Sequence, residues 1–237
     1  MNKNIYAIIL AAGKGRRMGC GKAKCASLLN DKSFVEHIVD TLKESRIKNI
    51  IVVVGYKKEQ IMNILKDTVV YAFQNEQLGT ADAVRCCDGI VPKDSLSLII
   101  PGDMPLISND IINNLIEKHY EEKNDLTFLS TILNKELYYG RVIKDNEKYR
   151  IVEYKDLKDD EKKIKEVNAG VYLANSKILF NELLNIKDNN NQNEYYLTDI
   201  VEKISSYGKV SRLLVENDIS VIGINDKETL NEILNKI

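Results

Sequence analysis

Through the first half of the chain, unbroken apolar runs of strand length alternate with segments in which apolar residues recur at helical spacing. Residues 5–10 form the first run, and residues 49–54, 69–73, 96–100 and 125–131 repeat it. These runs are mostly apolar without polar alternation, as expected of strands buried on both faces of a parallel sheet. Between them, Ser33 stands as a helix cap before Phe34, Val35, Ile38, Val39 and Leu42. Ile61, Ile64 and Leu65 mark a second helix, residues 81–87 a third, and Ile111, Ile112, Leu115 and Ile116 a fourth over residues 109–122. This alternation predicts an α/β fold, a Rossmann-like mixed, mainly parallel sheet flanked by helices.

After Thr131 the alternation stops. Residues 140–144 and 149–154 read as an antiparallel pair turning at Asp145-Asn146-Glu147, followed by a strand over residues 167–174. The charged run at 155–165 reads as a surface loop with a helical turn. Residues 178–184 and 196–206 read as helices separated by a loop at 188–193. Short strands are expected at 209–215 and 219–222, before a closing helix at 227–236. The organisation is one domain over residues 1–237: a nucleotide-binding lobe to about residue 130, then a small β-rich lobe for a second substrate, with the C-terminal helix.

Composition narrows the function classes. Basic and acidic residues number 34 and 35, for a net charge of −1, so no global field favours nucleic acid or an anionic membrane, and neither is expected as a partner. The chain enters a strand almost at once, and no run approaches the roughly 18 apolar residues of a spanning helix, so a cytoplasmic location is expected. Cys20, Cys25, Cys86 and Cys87 match neither a zinc site nor a disulfide framework and read as free thiols. Cys20 and Cys25 flank a cationic segment, where a thiolate would be favoured if either is exposed. The two histidines, His37 and His119, lie within helical patterns and read as packing or surface residues, which leaves little material for imidazole catalysis. Nothing in the sequence sets an oligomeric state.

Candidate chemistry gathers where the first strand ends. Residues 8–24 pass from apolar residues into glycines alternating with Lys14, Arg16, Arg17, Lys22 and Lys24. Glycine lets backbone N–H groups approach anionic oxygens, and the cations neutralise them, so this segment reads as a polyphosphate-binding loop rather than a merely solvated basic loop. It is not a P-loop: Gly21-Lys22 is followed by Ala23 instead of Ser or Thr, and Arg16 stands where the first glycine belongs. It is not a dinucleotide fingerprint either, because Met18 replaces the third glycine after Gly13 and Gly15. Asp103 follows the fourth long strand, at the same sheet edge where ligands of open α/β sheets bind. A carboxylate beside a polyphosphate suits Mg²⁺, which bridges the oxygens and neutralises developing charge.

Several further segments carry a resemblance: Leu10-Ala11-Ala12-Gly13-Lys14-Gly15 with Arg17-Met18, Gln74-Asn75-Glu76-Gln77-Leu78-Gly79-Thr80, and Gly102-Asp103 with Pro105-Leu106. Others are Tyr139-Gly140-Arg141, Glu153 with Lys155-Asp156, Asn168 with Gly170, Glu194-Tyr195-Tyr196-Leu197-Thr198-Asp199, and Gly223 with Asn225. In this order they resemble the sugar-phosphate nucleotidyltransferases, most closely the uridylyltransferases that make UDP-N-acetylglucosamine, over nearly the whole chain. The resemblance implies the nucleotide-diphospho-sugar transferase (GT-A-like) fold, with UTP and a sugar 1-phosphate as substrates and Mg²⁺ as cofactor. It implies that Leu10, Ala11, Ala12, Gly13, Gln74, Gly79, Thr80 and Gly102 surround the nucleotide. Arg17, Lys24 and Asp103 would be the catalytic set, Asp103 and Asn225 the metal ligands, and Gly140, Glu153 and Asn168 the sugar contacts.

Three positions depart from the family pattern. Arg16 replaces a Thr, Ala23 replaces the Pro before the phosphate-binding Lys, and Ala169 replaces a Thr, which would remove a hydroxyl beside the sugar. The resemblance covers the uridylyl-transferring part of larger two-activity enzymes, and an acetyl-transferring activity is not expected. The rival readings are UTP- or CTP-dependent transfer to another sugar, polyol or choline phosphate, and a nucleotide-sugar-binding sensor that does not turn over.

Overall fold

A computed structural model describes residues 3–15, 21–133, 138–216 and 218–234. The chain runs β1 (Ile5–Ala11), a two-residue hairpin of β2 (Leu28–Leu29) and β3 (Lys32–Ser33), α1 (Phe34–Glu44), β4 (Asn49–Val54), α2 (Lys58–Leu65), β5 (Val70–Phe73), α3 (Thr80–Arg85), β6 (Leu96–Pro101), α4 (Asn109–Glu121) and β7 (Leu126–Ile132). It continues with β8 (Arg141–Asp145), β9 (Lys148–Val152), β10 (Glu166–Asn175), α5 (Ser176–Leu183), α6 (Asp199–Ser205), β11 (Val210–Leu214) and α7 (Lys227–Leu234).

The main sheet is ordered β11-β7-β10-β6-β1-β4-β5, with β8 and β9 attached beyond β10. β1 pairs in parallel with both β4 and β6, while β10 runs antiparallel between β6 and β7. The sheet therefore crosses the division drawn near residue 130: a strand from the second half sits at its centre.

Strand alternation divides the core. Ala7, Ile9 and Ala11 pack beneath Val35, Ile38 and Leu42 of α1 and Ile112 and Leu115 of α4. Ile8 and Ala12 face Val84 of α3, Leu179, Phe180 and Leu183 of α5, and Ile200 and Ile204 of α6. With both faces covered, the strands need apolar residues at successive positions, which is why β1, β4 and β6 read as continuous runs. The start of α1 is set locally: Ser33 Oγ accepts from Glu36 N at 3.3 Å and Glu36 Oε2 accepts from Ser33 N at 2.9 Å, a complete capping box.

Two elements differ from the sequence expectation. Residues 219–222, expected as a strand, form a 3₁₀ turn at Ile219–Val221, because the Asp218 side chain accepts from Ser220 N at 2.8 Å and closes the backbone. Their apolar side chains serve another purpose: Ile219, together with Ile224 beyond the turn, packs with Leu29 and Phe34, while Val221 packs into the core that holds Val35 and Ile38. The helix expected from residue 196 begins at Asp199. Before it, Tyr195 N donates to Leu78 O at 2.8 Å, Ala81 N to Tyr195 O at 2.9 Å and Leu197 N to Thr80 Oγ1 at 3.0 Å. These bonds hold the segment extended against the loop before α3. His119 is buried with Nδ1 3.0 Å from Thr127 Oγ1, and its pKa is lowered to about 4 by desolvation, which fits the packing role read from sequence. Among the described residues no helix is long and apolar enough to cross a membrane.

Candidate active site

The carboxyl ends of β1 and β6 open into a cleft of about 790 Å³ that extends over β10 to the segments around Glu153 and Thr198. Leu10, Ala12, Gly13, Gln74, Gly79, Thr80 and Gly102 line it together with Lys24, Asp103 and Asn225 and with Glu153 and Asn168. Residues dispersed over more than 200 positions thus converge. Ala11 and Gly140 stand behind the wall: Ala11 is 2% exposed in the core, and a Cβ on Gly140 would lie 3.6 Å from Glu153 Oε2. Arg17, together with Arg16, Met18 and Cys20, lies outside the described residues. Of the remaining cations of the phosphate segment, Lys14 and Lys24 reach the cleft, whereas Lys22 is exposed and outside it.

The glycines around this cleft are placed by steric need. Gly15 has φ +55°, and a Cβ there would come within 2.6 Å of Lys24 Cβ, so a side chain would obstruct the lysine stem. Gly79 has φ +129°, and a Cβ would fall 2.4 Å from Tyr195 O. Close approach here is what allows the loop before α3 to share hydrogen bonds with the segment before α6.

Lys24 opens a 3₁₀ turn, Lys24–Ala26, preceded by Ala23 at φ −60°. That is the dihedral a proline enforces, so the substitution at this position preserves the loop geometry. It also adds an N–H, which donates to Gln60 Oε1 at 2.8 Å. The Lys24 ammonium forms an ion pair with Asp103 Oδ2 and donates to Asn225 Oδ1 at 2.7 Å. Asn225 Nδ2 donates to Gly223 O at 3.2 Å, so its amide is oriented with the oxygen toward the cation. Ile224 N donates to Asp103 O at 2.8 Å, tying the Asp103 and Asn225 segments together.

Sequence reading assigned Lys24 to the phosphates and Asp103 with Asn225 to Mg²⁺; the structure brings all three into one cluster. Two oxygens aimed at one cation form a donor set suited to Mg²⁺, which is bound through one or two protein oxygens completed by substrate phosphates and water. Among the described residues no group of three or more His, Cys, Asp or Glu could hold a metal ion.

Gln74 is 4% exposed, and its Nε2 donates to Gly79 O at 3.0 Å and to Asp82 Oδ2 at 2.9 Å. Both amide protons are thereby committed, and Oε1 is left to accept from a ligand.

Elsewhere in the cleft, Thr198 Oγ1 donates to Glu153 Oε1 at 3.1 Å. Desolvation raises the Glu153 pKa; the Thr198 hydrogen bond opposes this, and the Asp199, Asp156 and Glu194 carboxylates reinforce it. Asp199 is likewise raised to about 6, chiefly by desolvation. The cleft therefore carries a cation at Lys24 and a separate group of carboxylates around Glu153. Asn168 and Gly170 border it, whereas Ala169 packs with the core on the opposite face of β10. The expectation that a Thr-to-Ala difference at 169 removes a hydroxyl beside the sugar is corrected: strand alternation turns that position away from the cleft.

The condition set for a reactive thiol is not met at Cys25, and Cys20 lies outside the described residues. Cys25 is 6% exposed, and its pKa is pushed up to about 12, first by burial and then by the Asp103 carboxylate, which together outweigh Lys24. Iodoacetamide at pH 8 should leave Cys25 unmodified in the folded protein and alkylate it in urea, as read by peptide mass spectrometry. Native-state labelling at the rate of a free thiol would contradict its burial.

Sequence reasoning missed Tyr172, Asn191 and Gln192, all on the cleft wall. The first looks like one more core residue of a strand, and the others like an ordinary polar loop.

A family model described as the MobA-like NTP transferase domain matches residues 7–144. The bifunctional protein GlmU of Acholeplasma laidlawii is 37% identical, aligned to 98% of this chain and 52% of its own length. GlmU of Thermoanaerobacter pseudethanolicus is 39% identical over 97% of this chain and 51% of its own length. The chain spans about half the length of these curated relatives. A crystal structure from Bacillus anthracis, described as a glucose-1-phosphate thymidylyltransferase with sucrose, superposes with a TM-score of 0.80. It is 21% identical, the match covering 98% of this chain and 94% of that one, and it supports the fold. With a Rossmann-like sheet, a cationic turn beyond β1 and Asp103 beyond β6, this chain belongs to the MobA-like NTP transferase family and carries its nucleotidyltransferase domain.

Proposed function

We propose that this domain transfers a uridylyl group from UTP to N-acetylglucosamine 1-phosphate, releasing pyrophosphate and forming UDP-N-acetylglucosamine. The single observation that carries the reading is one continuous cleft lined by Gln74 with a free amide oxygen, by Lys24 with Asp103 and Asn225, and by a carboxylate-rich group at Glu153. Those three zones suit a base, a run of phosphates and a polyhydroxylated acceptor. The motif resemblance and the relatedness to GlmU support this assignment.

Gln74 supports uracil over cytosine. With both Nε2 protons bonded to protein, the side chain offers an acceptor, which suits the N3–H of uracil and repels the lone pair at N3 of cytosine. Thymine shares the uracil edge. The acceptor assignment rests on the sequence resemblance together with Glu153 and Asn168.

Chemically, an oxygen of the sugar phosphate attacks the α-phosphorus in line with the departing pyrophosphate, and the bond to the leaving oxygen breaks. That nucleophile is already ionised near pH 7, so no general base is required. The chain's task is to align the two substrates and place positive charge along the phosphates, the role of Lys24 and, from the resemblance, Arg17. Asp103 and Asn225 would hold Mg²⁺, which when bound would neutralise charge on the phosphate oxygens. In this proposal the first lobe, to about residue 130, carries the nucleotide, and the remainder of the single domain carries the acceptor.

The test is pyrophosphate release with UTP, TTP and CTP, each crossed with N-acetylglucosamine 1-phosphate, glucose 1-phosphate, a polyol phosphate and phosphocholine. UTP with the N-acetyl sugar should give the highest kcat/KM. Equal rates with glucose 1-phosphate would overturn the acceptor, a preference for CTP would overturn the Gln74 reading, and binding without release in every combination would favour a sensor.

A further inference from the structure

The wall of the acceptor end contains a buried hydrogen-bond donor with no acceptor among the described residues. β10 changes register against β7 between Asn168 and Tyr172, with Gly170 at φ +81° inside the irregularity. A bulge of this kind re-aims the side chains that flank it. Asn168 and Tyr172 line the cleft.

The hydrogen bonds around Asn168 fix its amide. Gly170 N–H can only donate, and it donates to Asn168 Oδ1 at 3.1 Å, so the NH₂ lies on the other side and donates to Tyr172 Oη at 2.6 Å. A phenol oxygen that receives this bond must send its own proton elsewhere. Tyr172 is 2% exposed, and among the described residues its O–H donates to no acceptor. An unmatched buried donor is costly, and a ligand oxygen would remove the cost.

We propose that Tyr172 is a specificity-determining residue of the acceptor pocket, its O–H donating to an oxygen of the incoming sugar phosphate. The inference rests on the acceptor reading given above. Burial, reinforced by the Glu153 carboxylate, holds the phenol above its ordinary pKa, so it remains a donor across the working pH range. Donor and carboxylate together match a sugar hydroxyl, which both accepts and donates. The Asn168 amide is oriented independently by Gly170 N–H, which donates to its Oδ1 at 3.1 Å, so the Tyr172 contact can be removed by itself.

Tyr172→Phe keeps the ring packing and removes the donor. Wild type and Y172F are compared by kcat/KM on the parent sugar 1-phosphate and on a set of analogues each lacking one hydroxyl or the acetamido group. Y172F should lose about 10- to 100-fold on the parent, the range expected for an unmatched polar group, with the KM for UTP unchanged. For one analogue, the one without the contacted group, wild type and variant should be equal. The ratio of parent to analogue is measured within each protein, so a partly unfolded variant leaves it unaltered. A parent-to-analogue ratio that is the same in both proteins for every analogue overturns the proposal, as does undiminished turnover of the parent by Y172F. If wild type transfers to no sugar 1-phosphate, the acceptor reading fails and the Tyr172 proposal falls with it; wild-type transfer with unaltered ratios removes Tyr172 alone.

Discussion

Replacing Asp103 with alanine is expected to lower Mg²⁺-dependent pyrophosphate release by ~10³-fold or more, because it deletes the only carboxylate in the proposed metal-binding pair and with it several kcal/mol of charge stabilisation. The fold should survive. The Asp103 side chain is 19% exposed at a cleft surface, and the contact that secures its segment, Ile224 N to Asp103 O at 2.8 Å, is made by the backbone. Thermal unfolding that matches wild type, with turnover lost at every Mg²⁺ concentration, is the expected result. Near-normal activity that still depends on Mg²⁺ would remove Asp103 from the metal site.

Lys24→Ala should reduce turnover by roughly 10²- to 10³-fold, the usual cost of losing one preorganised stabiliser of transition-state charge. Lys22→Ala should change it little, since that side chain is exposed and lies outside the cleft. The reverse order would mean that the phosphate segment acts two residues out of register with the geometry described. The same lysine variant carries a second expectation of opposite sign. The Lys24 ammonium occupies the space between Asp103 Oδ2 and Asn225 Oδ1, so it and a divalent cation compete for the same two oxygens. Without nucleotide, Lys24→Ala should therefore bind Mn²⁺ more tightly than wild type while turning over far more slowly. Water-proton relaxation reads the first effect and pyrophosphate release the second. Weaker Mn²⁺ binding in the variant would show that the lysine supports the metal position instead of competing for it. Tighter binding would mean that Lys24 yields to the metal when substrate arrives and moves its charge to the phosphates.

Much of this site was legible because its chemistry is written in local residue types. Glycines alternating with cations after an apolar strand mark a candidate anion-binding segment, and Asp103 directly after another apolar strand marks a carboxylate at the same edge; the fold brings Lys14, Lys24 and Asp103 to one cleft. The contact between Lys24 and the Asp103–Asn225 pair was not legible. It joins positions 24, 103 and 225, and nothing in their local sequence encodes the distance between them.

The sequence by itself determined the elements whose causes are local. Strands buried on both faces must be apolar at consecutive positions, so β1, β4 and β6 announce themselves, and the Ser33–Glu36 box announces the start of α1. Tertiary structure decided what depends on pairing. Periodicity could not show that β10 inserts antiparallel between β6 and β7, and that insertion turns Ala169 into the core and Tyr172 toward the cleft. Nor could it show that the apolar residues at 219–222 serve a capped turn packed beside Phe34 instead of another strand. The orientation of the Gln74 amide belongs to the same class: Gly79 and Asp82 commit its protons, and only the folded loop brings those acceptors together. The physical reason is common to all of these. A hydrophobic pattern specifies how much surface an element must bury, whereas register, bulges and the direction of each hydrogen bond are set by the partner across the contact.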